Sequence, residues 1–489
     1  MLEKTRALAN EKNLKGDHMG KDLRSFLADL DKAGQLLHVK KPVDVDTEMG
    51  ALNWEAIVRH KKALMCEKVK GYPGWKTVSG ITGSRENIVV AFGTSLQDCV
   101  PMLAKRMRET RLTPCPVVKE GACQEIVKTG KNIDLNEIPF NVVQERDAGR
   151  YLGSGCIVVR DPETGIRNMS IQRHQIKGKD KMGIMMVAGR HCRMVYEKYQ
   201  KMGKPMPCAI WIGHHAATVL ASTWTTAFGV DELEIAQVLL NEPLELVKCK
   251  TVDLEVPASA EVVIEGVVPP DVLEAEGPFG EHTGCTIAGA GKNEIVQVKA
   301  ITMRKNPILF EITEGPNTDG AILDSIPMEV ELFNRLKDVG GYVKLHNIVV
   351  HECAGGGHFV IIQMTPRVDG EVKGVLMAAL SSNYLHHKIA VAVDDDVDPF
   401  DTTEIIWSMS TKLNPVDDVF IVSGTRGHSL DSSLPRISPK GMNPVIRVGS
   451  RIGIDATKPP LSRPEDRAEL DRIFPKGFGK IKLEDFLKP

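Results

Sequence analysis

The sequence predicts a multi-domain α/β protein, and three features of the chain support that fold class. Its 489 residues are enough for two or three domains, each with a hydrophobic core. The first hundred residues or so and the part after Gly320 alternate strand and helix patterns. Between about 115 and 310, strand patterns and loops dominate instead. We therefore expect two α/β units on either side of a β-rich one.

The individual elements follow from the spacing of apolar residues. Apolar residues recur at helical spacing over 22–33, which predicts a helix that Gly34 ends. In the β-rich part, Gly153 to Val159 and Ile184 to Ala188 are predicted strands. A further helix is predicted to open at Glu232, with the sequence Glu-Leu-Glu-Ile-Ala over 232–236.

Later in the chain, a predicted hairpin gives way to strand–helix alternation. Ile295 to Met303 and Ile308 to Ile312 form the hairpin, joined by a turn that contains proline. Gly370 to Leu380 is predicted to be a helix and Ile389 to Val393 a buried strand. The run Asp401-Thr-Thr-Glu404 matches a capping box that opens another helix. This alternation predicts a mostly parallel sheet.

Composition excludes several functional classes. The 62 basic and 64 acidic residues nearly balance, so we expect neither nucleic-acid binding nor attraction to an anionic membrane. No apolar run of about 18 residues predicts a membrane span, and the N-terminus lacks the apolar core of a secretory signal, so we expect a cytoplasmic protein. The ten cysteines form no C-x-x-C pair, which favours buried free thiols over a zinc site or disulfides.

The segment from Glu276 to Gly284 is the most informative part of the sequence. It presents two carboxylates, Glu276 and Glu281, on a stretch whose glycines and proline exclude a regular helix or strand. Paired acids on a shaped loop suit proton transfer, because a dry pocket or a neighbouring carboxylate raises the pKa of one of them. The alternative is a turn with two solvated acids.

A second polar group lies upstream, in the extended segment 168–173. Asn168 and Ser170 share one side of a strand, and Arg173 supplies a planar fork that can hold a carboxylate through two bonds. Gly189-Arg190-His191 follows the predicted strand over 184–188. His191 is a possible metal ligand, and the alternative is a hydrogen-bonded structural histidine.

These motifs resemble the UbiD-like decarboxylases, enzymes that use prenylated FMN. The resemblance runs from Asp22-Leu-Arg-Ser-Phe-Leu near the start to Arg451-Ile-Gly-Ile-Asp-Ala-Thr457 near the end. Five motifs in order carry it: N-x-S-I-x-R at 168–173, G-R-H at 189–191, E-x-x-x-A at 232–236, V-K-C-x-T-x-D-L at 247–254 and E-G-P-F-G-E at 276–281.

The resemblance implies a central split β-barrel of the flavin-reductase type, flanked by N- and C-terminal α/β domains. The corresponding division of this chain is an N-terminal domain over 1–115, a cofactor-binding barrel over 116–315 and a C-terminal domain over 316–450. Residues 451–489 would form a tail that packs on another protomer. A homodimer or a homohexamer is implied.

The implied activity is reversible, non-oxidative decarboxylation of an aromatic, heteroaromatic or α,β-unsaturated carboxylic acid. Arg173 and Glu276 would position the substrate carboxylate, and Glu281 would donate the proton. A flavin prenyltransferase would supply the prenylated FMN. The ring of the substrate and the physiological direction of the reaction are left open by the sequence.

Two metal ions are implied at the cofactor phosphate. Mn²⁺ or Mg²⁺ would be held by Asn168, His191 and Glu232, whose oxygen ligands and single imidazole suit such an ion. K⁺ would be held by oxygens of Ala221, Ser222, Trp224 and Glu232. The implied cofactor contacts are Asn168, Ser170, Ile171, Gln172, Arg173, Arg190, His191, Glu232 and Lys388.

Several features leave alternatives open. His282 replaces a residue that is often apolar in relatives, and either contacts substrate or faces solvent. For Cys285 a packing role is predicted, and the alternative is a chemical one. The acidic run Asp394 to Asp398 is either a structural loop or a second metal site. His386, His387 and His428 lie in regions that can line a pocket. Two other functions remain, a metal-dependent lyase or hydrolase without flavin and a non-catalytic assembly protein.

Overall fold

The computed structural model describes residues 20–286, 291–438 and 446–487. The strands of these residues are β1 (Leu36–Val39), β2 (Ala63–Cys66), β3 (Lys76–Ser79), β4 (Val117–Val118), β5 (Ile126–Thr129), β6 (Tyr151–Arg160), β7 (Arg167–Ile176), β8 (Lys181–Ile184), β9 (Met206–Ile212), β10 (Leu246–Lys248), β11 (Glu255–Pro257), β12 (Val262–Val268), β13 (Leu273–Glu276), β14 (Gly291–Met303), β15 (Ile308–Glu311), β16 (Leu345–Val350), β17 (Phe359–Met364), β18 (Ile389–Val393), β19 (Val419–Gly427) and β20 (Arg447–Ala456). Their helices are α1 (Leu23–Lys32), α2 (Met49–Trp54), α3 (Arg85–Phe92), α4 (Leu96–Glu109), α5 (His191–Lys201), α6 (Ala216–Ala221), α7 (Glu232–Leu240), α8 (Asp319–Leu336), α9 (Glu371–Leu380), α10 (Thr402–Lys412), α11 (Pro464–Glu469) and α12 (Glu484–Leu487). No helix within these ranges is long and apolar enough to cross a membrane.

The N-terminal unit is a four-stranded sheet covered by helices. Its strand order is β1-β2-β3-β15, with β1 parallel to β2 and β3 parallel to β15. Helix α1 begins after Asp22, whose carboxylate accepts a hydrogen bond from the Ser25 amide at 2.8 Å. Leu23, Phe26 and Leu30 of this helix are fully buried, as the helical spacing predicts.

The central unit is a closed antiparallel barrel. Strands β12, β9, β6, β7, β8 and β14 follow one another around it, and pairing of β14 with β12 closes the ring. Strands β5 and β13 also pair with β14 in antiparallel fashion, β5 along residues 300–303 and β13 along residues 291–294. The predicted fold class, a multi-domain α/β protein around a central barrel, is therefore confirmed. Because β13 ends at Glu276 and β7 contains Arg173, the barrel positions both segments that the motifs single out.

The predicted hairpin at residues 295–312 is wrong. Strand β14 stays in the barrel, whereas β15 crosses to the N-terminal sheet and pairs there in parallel with β3. The connection is held by ion pairs of Arg304, which contacts Asp22 at 2.8 Å and Glu261 at 3.4 Å. Glu261 also accepts a hydrogen bond from the Ile308 amide at 3.1 Å, so the turn links two sheets.

The predicted strand over 184–188 is also wrong in extent. Strand β8 ends at Ile184, and the chain then turns through Gly189, whose φ of 79° lies in the left-handed region. His191 therefore begins helix α5 rather than ending a strand. The apolar run that predicted a longer strand includes Met186, which is buried without belonging to the sheet.

The C-terminal sheet is mixed rather than mostly parallel. Its order is β16-β17-β18-β20-β19, in which β17, β18 and β20 run parallel and the two outer strands run antiparallel to their neighbours. Helix α10 is capped by Asp401, which accepts from the Thr403 amide at 2.8 Å. Glu404 does not complete a capping box, because it accepts from the Asp398 amide outside the helix.

The acidic run that begins at Asp394 is paired with basic side chains. Arg467 donates to Asp394 at 2.5 Å and 2.9 Å, and Lys412 and Lys458 lie 2.9 Å and 3.3 Å from Asp396. These partners favour a structural loop over a second metal site. All ten cysteines are free, and Cys285 is exposed, which contradicts the packing role predicted for it.

We predict that Glu311→Gln stabilises the protein at neutral pH. Both carboxyl oxygens of Glu311 are buried and have no hydrogen-bond partner in the described ranges, and burial raises the pKa of this group well above its ordinary value. In the unfolded chain a glutamate ionises near pH 4.3, so wild-type stability falls above that pH, by about 1.4 kcal/mol per pH unit, until the folded-state pKa is reached. Glutamine cannot ionise and escapes this loss.

Denaturant unfolding between pH 4 and pH 8 tests this expectation, with Glu120→Gln at an exposed position as control. The gap between Glu311→Gln and wild type should widen as pH rises and close near pH 4. A gap that is independent of pH would show that Glu311 does not hold its proton in the folded protein.

Candidate active site

An arginine on barrel strand β7 is shared by two carboxylates, one at the end of β13 and one in the loop that follows. Arg173 on β7 donates from Nε to Glu276 Oε1 at 3.1 Å and from Nη2 to Glu276 Oε2 at 2.9 Å. Its Nη1 donates to Glu281 Oε1. Glu276 is 2% exposed and also accepts from Asn293 Nδ2 at 2.9 Å. The structure thus brings together all three residues of the predicted catalytic set.

The loop after β13 is shaped to present Glu281 to Arg173. Gly277 has a φ of 88°, and the Gly277–Pro278 peptide bond is cis. The Gly280 amide donates to Asp147 at 2.8 Å, which ties the loop to a neighbouring segment. The Phe279 ring lies 4.9 Å from the Arg173 guanidinium, a cation–π distance. The alternative of a turn with two solvated acids does not describe this loop.

Charges around Arg173 oppose the cost of its burial. Burial lowers the pKa of Arg173, but Glu281 and Glu276 outweigh that effect and hold its pKa above the ordinary value. A third carboxyl, Glu314, lies close to Glu281. Burial raises the pKa of Glu314 well above its ordinary value, and the charges of Glu281, Asp324 and Asp319 act in the same direction.

Glu314 was not found by the sequence reasoning, although a signal exists. The tripeptide Glu314-Gly-Pro repeats Glu276-Gly-Pro: Glu276 is the last residue of β13, and Glu314 comes three residues after the end of β15. Glu314 Oε2 is buried and has no hydrogen-bond partner among the described residues. Glu314 is therefore a carboxyl of raised pKa beside the Arg173 group.

The predicted ligands of the divalent ion also meet. Glu232, the first residue of α7, accepts from Asn168 Nδ2 at 2.9 Å and from the Met169 amide at 2.7 Å. His191 Nδ1 lies 3.7 Å from Glu232 Oε1. Helices α5 and α7 thus place an imidazole and a carboxylate at one point beside β7.

This group of residues fits a divalent ion. Asn168 Oδ1 is buried and has no partner among the described residues, so a ligand oxygen is left over at the site. Glu232 is 1% exposed, and burial raises its pKa despite the opposing effects of His191 and of the Met169 amide. Two oxygen ligands and one imidazole match the preference of Mn²⁺ or Mg²⁺.

The residues predicted to hold K⁺ lie against the same strand. Ala221 ends helix α6, and the Ser222 carbonyl accepts from the Ile171 amide at 3.2 Å, so 221–224 runs beside 168–173. The Trp224 indole N–H donates to Glu331 at 2.7 Å. An indole is a donor only, so Trp224 could bind a cation through its main-chain carbonyl oxygen. Main-chain carbonyls have a second lone pair, which suits this role.

The other predicted cofactor contacts divide into two groups. Ser170 and Gln172 share one side of β7, and Gln172 Nε2 donates to Ser170 Oγ at 3.1 Å. Arg190 precedes α5 and reaches Thr225 Oγ1 at 3.4 Å. Lys388 precedes β18, where it pairs with Asp431 at 3.1 Å and donates to Ser433. Lys388 thus contacts residues of the C-terminal unit.

His282 is turned into the protein. Its side chain is 13% exposed, and Nε2 lies 3.5 Å from Asp324 Oδ2 on α8. The alternative in which His282 faces solvent is therefore excluded. His386 and His428 lie nearby, with their rings stacked at 3.7 Å. Burial is the main cause that lowers the pKa of both rings well below the ordinary value.

Three domain models of one enzyme family match most of this chain. Residues 116–317 match the 3-octaprenyl-4-hydroxybenzoate carboxy-lyase Rift-related domain, and residues 27–107 and 321–456 match the N-terminal and C-terminal domains of the same family. The chain is 33% identical over 487 residues to a phenolic acid decarboxylase of Sedimentibacter hydroxybenzoicus, covering 96% of this chain and 98% of that one.

Two further proteins are also similar to this chain over most of its length. The chain is 30% identical to an anhydromevalonate phosphate decarboxylase of Methanothermobacter thermautotrophicus, covering 89% of this chain and 97% of that one. The structure of the UbiD-class enzyme HmfF from Pelotomaculum thermopropionicum, in complex with FMN, superposes with a TM-score of 0.85 at 36% identity. That match covers 95% of this chain and 100% of the other.

Fold, site and relatives together define a decarboxylase built around a barrel with an arginine–carboxylate centre. The chain belongs to the UbiD family of carboxy-lyases. The resemblance predicted from the five motifs is confirmed, and so is the prediction that the protein is an enzyme.

Proposed function

We propose that this protein catalyses reversible, non-oxidative decarboxylation of an aromatic, heteroaromatic or α,β-unsaturated carboxylic acid with prenylated FMN. The observation that carries the proposal is the partly buried Arg173, with its side chain 17% exposed, shared by Glu276 and Glu281. A phenolic acid decarboxylase is among the relatives, and HmfF has been solved with FMN and, in an evolved dimeric form, with prFMN. These relatives support the substrate class and the cofactor.

Binding of the cofactor would depend on the ion site beside β7. Asn168, His191 and Glu232 would hold Mn²⁺ or Mg²⁺, and oxygens of Ala221, Ser222, Trp224 and Glu232 would hold K⁺. Both cations would offset the charge of a phosphate, which the anionic Glu232 alone would repel. When bound, the prenylated flavin supplies the electron sink for loss of CO₂. Ser170, Ile171, Gln172, Arg190 and Lys388 would complete the contacts.

Arg173 and Glu276 would position the substrate carboxylate. The Glu276 carboxylate holds Nε and Nη2 of Arg173, which fixes the plane of the guanidinium and leaves Nη1 as the more exchangeable donor. A substrate carboxylate that takes the place of Glu281 at Nη1 would receive a charge-assisted hydrogen bond, worth roughly 1.5–3 kcal/mol. Displacement would also release Glu281 for its own task.

Glu281 would then donate the proton to the carbon that loses CO₂. Away from Arg173, its carboxyl loses the partner that favours the charged form. Glu314, buried beside it with a raised pKa, offers a nearby proton for return of Glu281 to the acid form. Proton donation by a positioned carboxylic acid suits a pocket from which water is excluded.

We also propose that the C-terminal tail packs on another protomer, in a homodimer or a homohexamer. Apolar side chains of the tail stand in solvent in the single chain, among them Ile473 at 93%, Phe486 at 73% and Leu487 at 71% exposed. Such a set of exposed apolar residues favours burial against a second copy. An evolved form of HmfF is dimeric, which supports a symmetric assembly.

We predict that the protein requires a flavin prenyltransferase as supplier of its cofactor. Protein made in a host that lacks this enzyme should fold and remain inactive, because the three matched domains are all carboxy-lyase domains. Co-expression of a prenyltransferase should restore CO₂ release from a panel of aromatic acids. The absorption spectrum gives flavin content, and equal activity from both hosts would refute the proposal.

A further inference from the structure

A second group of ligand atoms lies outside the predicted ion site. Three residues each offer one ligand atom: His282 from the loop after β13, Asp324 from helix α8 and His386 from the segment before β18. These three atoms all lie within 4.8 Å of one another. The residues come from three separate parts of the chain, so tertiary folding alone brings them together.

One nitrogen of each histidine in this group is buried and makes no hydrogen bond within the described part of the chain. His386 is 4% exposed, and its Nδ1 has no hydrogen-bond partner among the described residues. His282 Nε2 is likewise buried and without a hydrogen bond. A buried polar atom without a hydrogen bond destabilises the folded protein, so two in one place need an explanation.

The backbone around the group makes room for both rings. Gly356 has a φ of 62°, and a Cβ at this position would collide with the His282 ring. A Cβ at Gly357 would likewise collide with the Cβ of His386. The ring of His428 stacks on the ring of His386, with their centroids 3.7 Å apart. Both imidazoles are therefore held in place by the glycine turn and by stacking.

The geometry matches the requirements of a small divalent ion. With zinc bonds of about 2.0–2.1 Å, ligand atoms of a tetrahedral site lie about 3.4 Å apart. His282 Nε2 and Asp324 Oδ2 are 3.5 Å apart, which is close to that separation, and the ligand atom of His386 lies within 4.8 Å of both. Two imidazoles and one carboxylate form a ligand set that zinc and similar ions accept with a fourth position open.

We propose that His282, Asp324 and His386 bind a divalent transition-metal ion of the zinc type, with water or another oxygen ligand in the fourth position. This site shares no ligand with Asn168, His191 and Glu232. Its occupancy does not require flavin or turnover, so it stands or falls separately from the proposed decarboxylation. An ion here would bind a nitrogen of His282 and a nitrogen of His386. It would also offset the charge of Asp324 next to the loop after β13.

Metal binding by the full-length His191→Ala variant tests the proposal, because that substitution removes the other site. After equilibrium dialysis against Zn²⁺, this variant should retain one equivalent of zinc per chain. His191→Ala combined with Asp324→Asn, or with His386→Gln, should retain none. Control variants Asp338→Asn and His60→Gln, at exposed positions, should keep the equivalent when combined with His191→Ala.

Thermal unfolding gives a second readout that does not depend on dialysis. Zn²⁺ should raise the Tm of His191→Ala and leave the Tm of the two double variants unchanged, because binding to the folded state alone stabilises it. Two double variants are used so that misfolding of one does not decide the result. No zinc in His191→Ala, or equal zinc in the single and both double variants, would overturn the proposal.

Discussion

Replacing Glu281 by glutamine is expected to lower turnover by about 10²–10⁴, the loss typical of a missing general acid. Glutamine keeps the size of the side chain and its reach to Arg173 but has no titrating proton. Flavin content should stay near that of wild type, because Glu281 lies outside the group of residues at the ion site. In heavy water, deuterium should enter the carbon that lost CO₂ far more slowly than in wild type.

Glu274→Gln is the matched control, since Glu274 lies on β13 and pairs with Lys181 at 2.7 Å instead of with Arg173. It should keep both turnover and exchange. Arg173→Ala, by contrast, should lose activity through failure to hold the substrate carboxylate. Wild-type turnover and exchange in Glu281→Gln would assign the proton to another acid, with Glu314 now the first to test, before Glu276 and His282.

The second large effect is expected at the ion site beside β7. Glu232→Ala or His191→Ala should lose the divalent ion and flavin together, because the ion would join the protein to the cofactor phosphate. Glu234→Ala is the control, since it lies on the same helix α7 two residues further on. Metal analysis and flavin absorbance on the same sample measure both losses. Full flavin occupancy in metal-free Glu232→Ala would contradict the bridging role.

Much of the fold was predictable where the signal is local. The spacing of Leu23, Phe26 and Leu30 was enough to predict helix α1, because one buried face determines a short amphipathic helix. The hairpin at 295–312 failed for the opposite reason. Apolar residues in β15 fit either sheet, and the choice depends on the contacts of Arg304 with Asp22 and Glu261, which are distant in sequence.

The site divides in the same way. Arg173, Glu276 and Glu281 were found because two short motifs contain them, and the motifs carry the resemblance. The repeated Glu-Gly-Pro sequence could have marked Glu314, but not its burial beside Glu281. The meeting of His282, Asp324 and His386 was not predicted, because it depends on which side chains become neighbours after folding. Local spacing cannot report burial without a partner, which is what distinguishes these groups.

The sharing of Arg173 by two carboxylates has a consequence for how substrate enters. With Glu276 and Glu281 ionised, the group already carries one negative charge in excess of Arg173, and an acid substrate brings another. Two uncompensated negative charges in a buried pocket are costly. The substrate anion and a proton should therefore bind together, because their joint binding leaves the net charge of the pocket unchanged. The proton needed at the end of the reaction would then be loaded at its beginning.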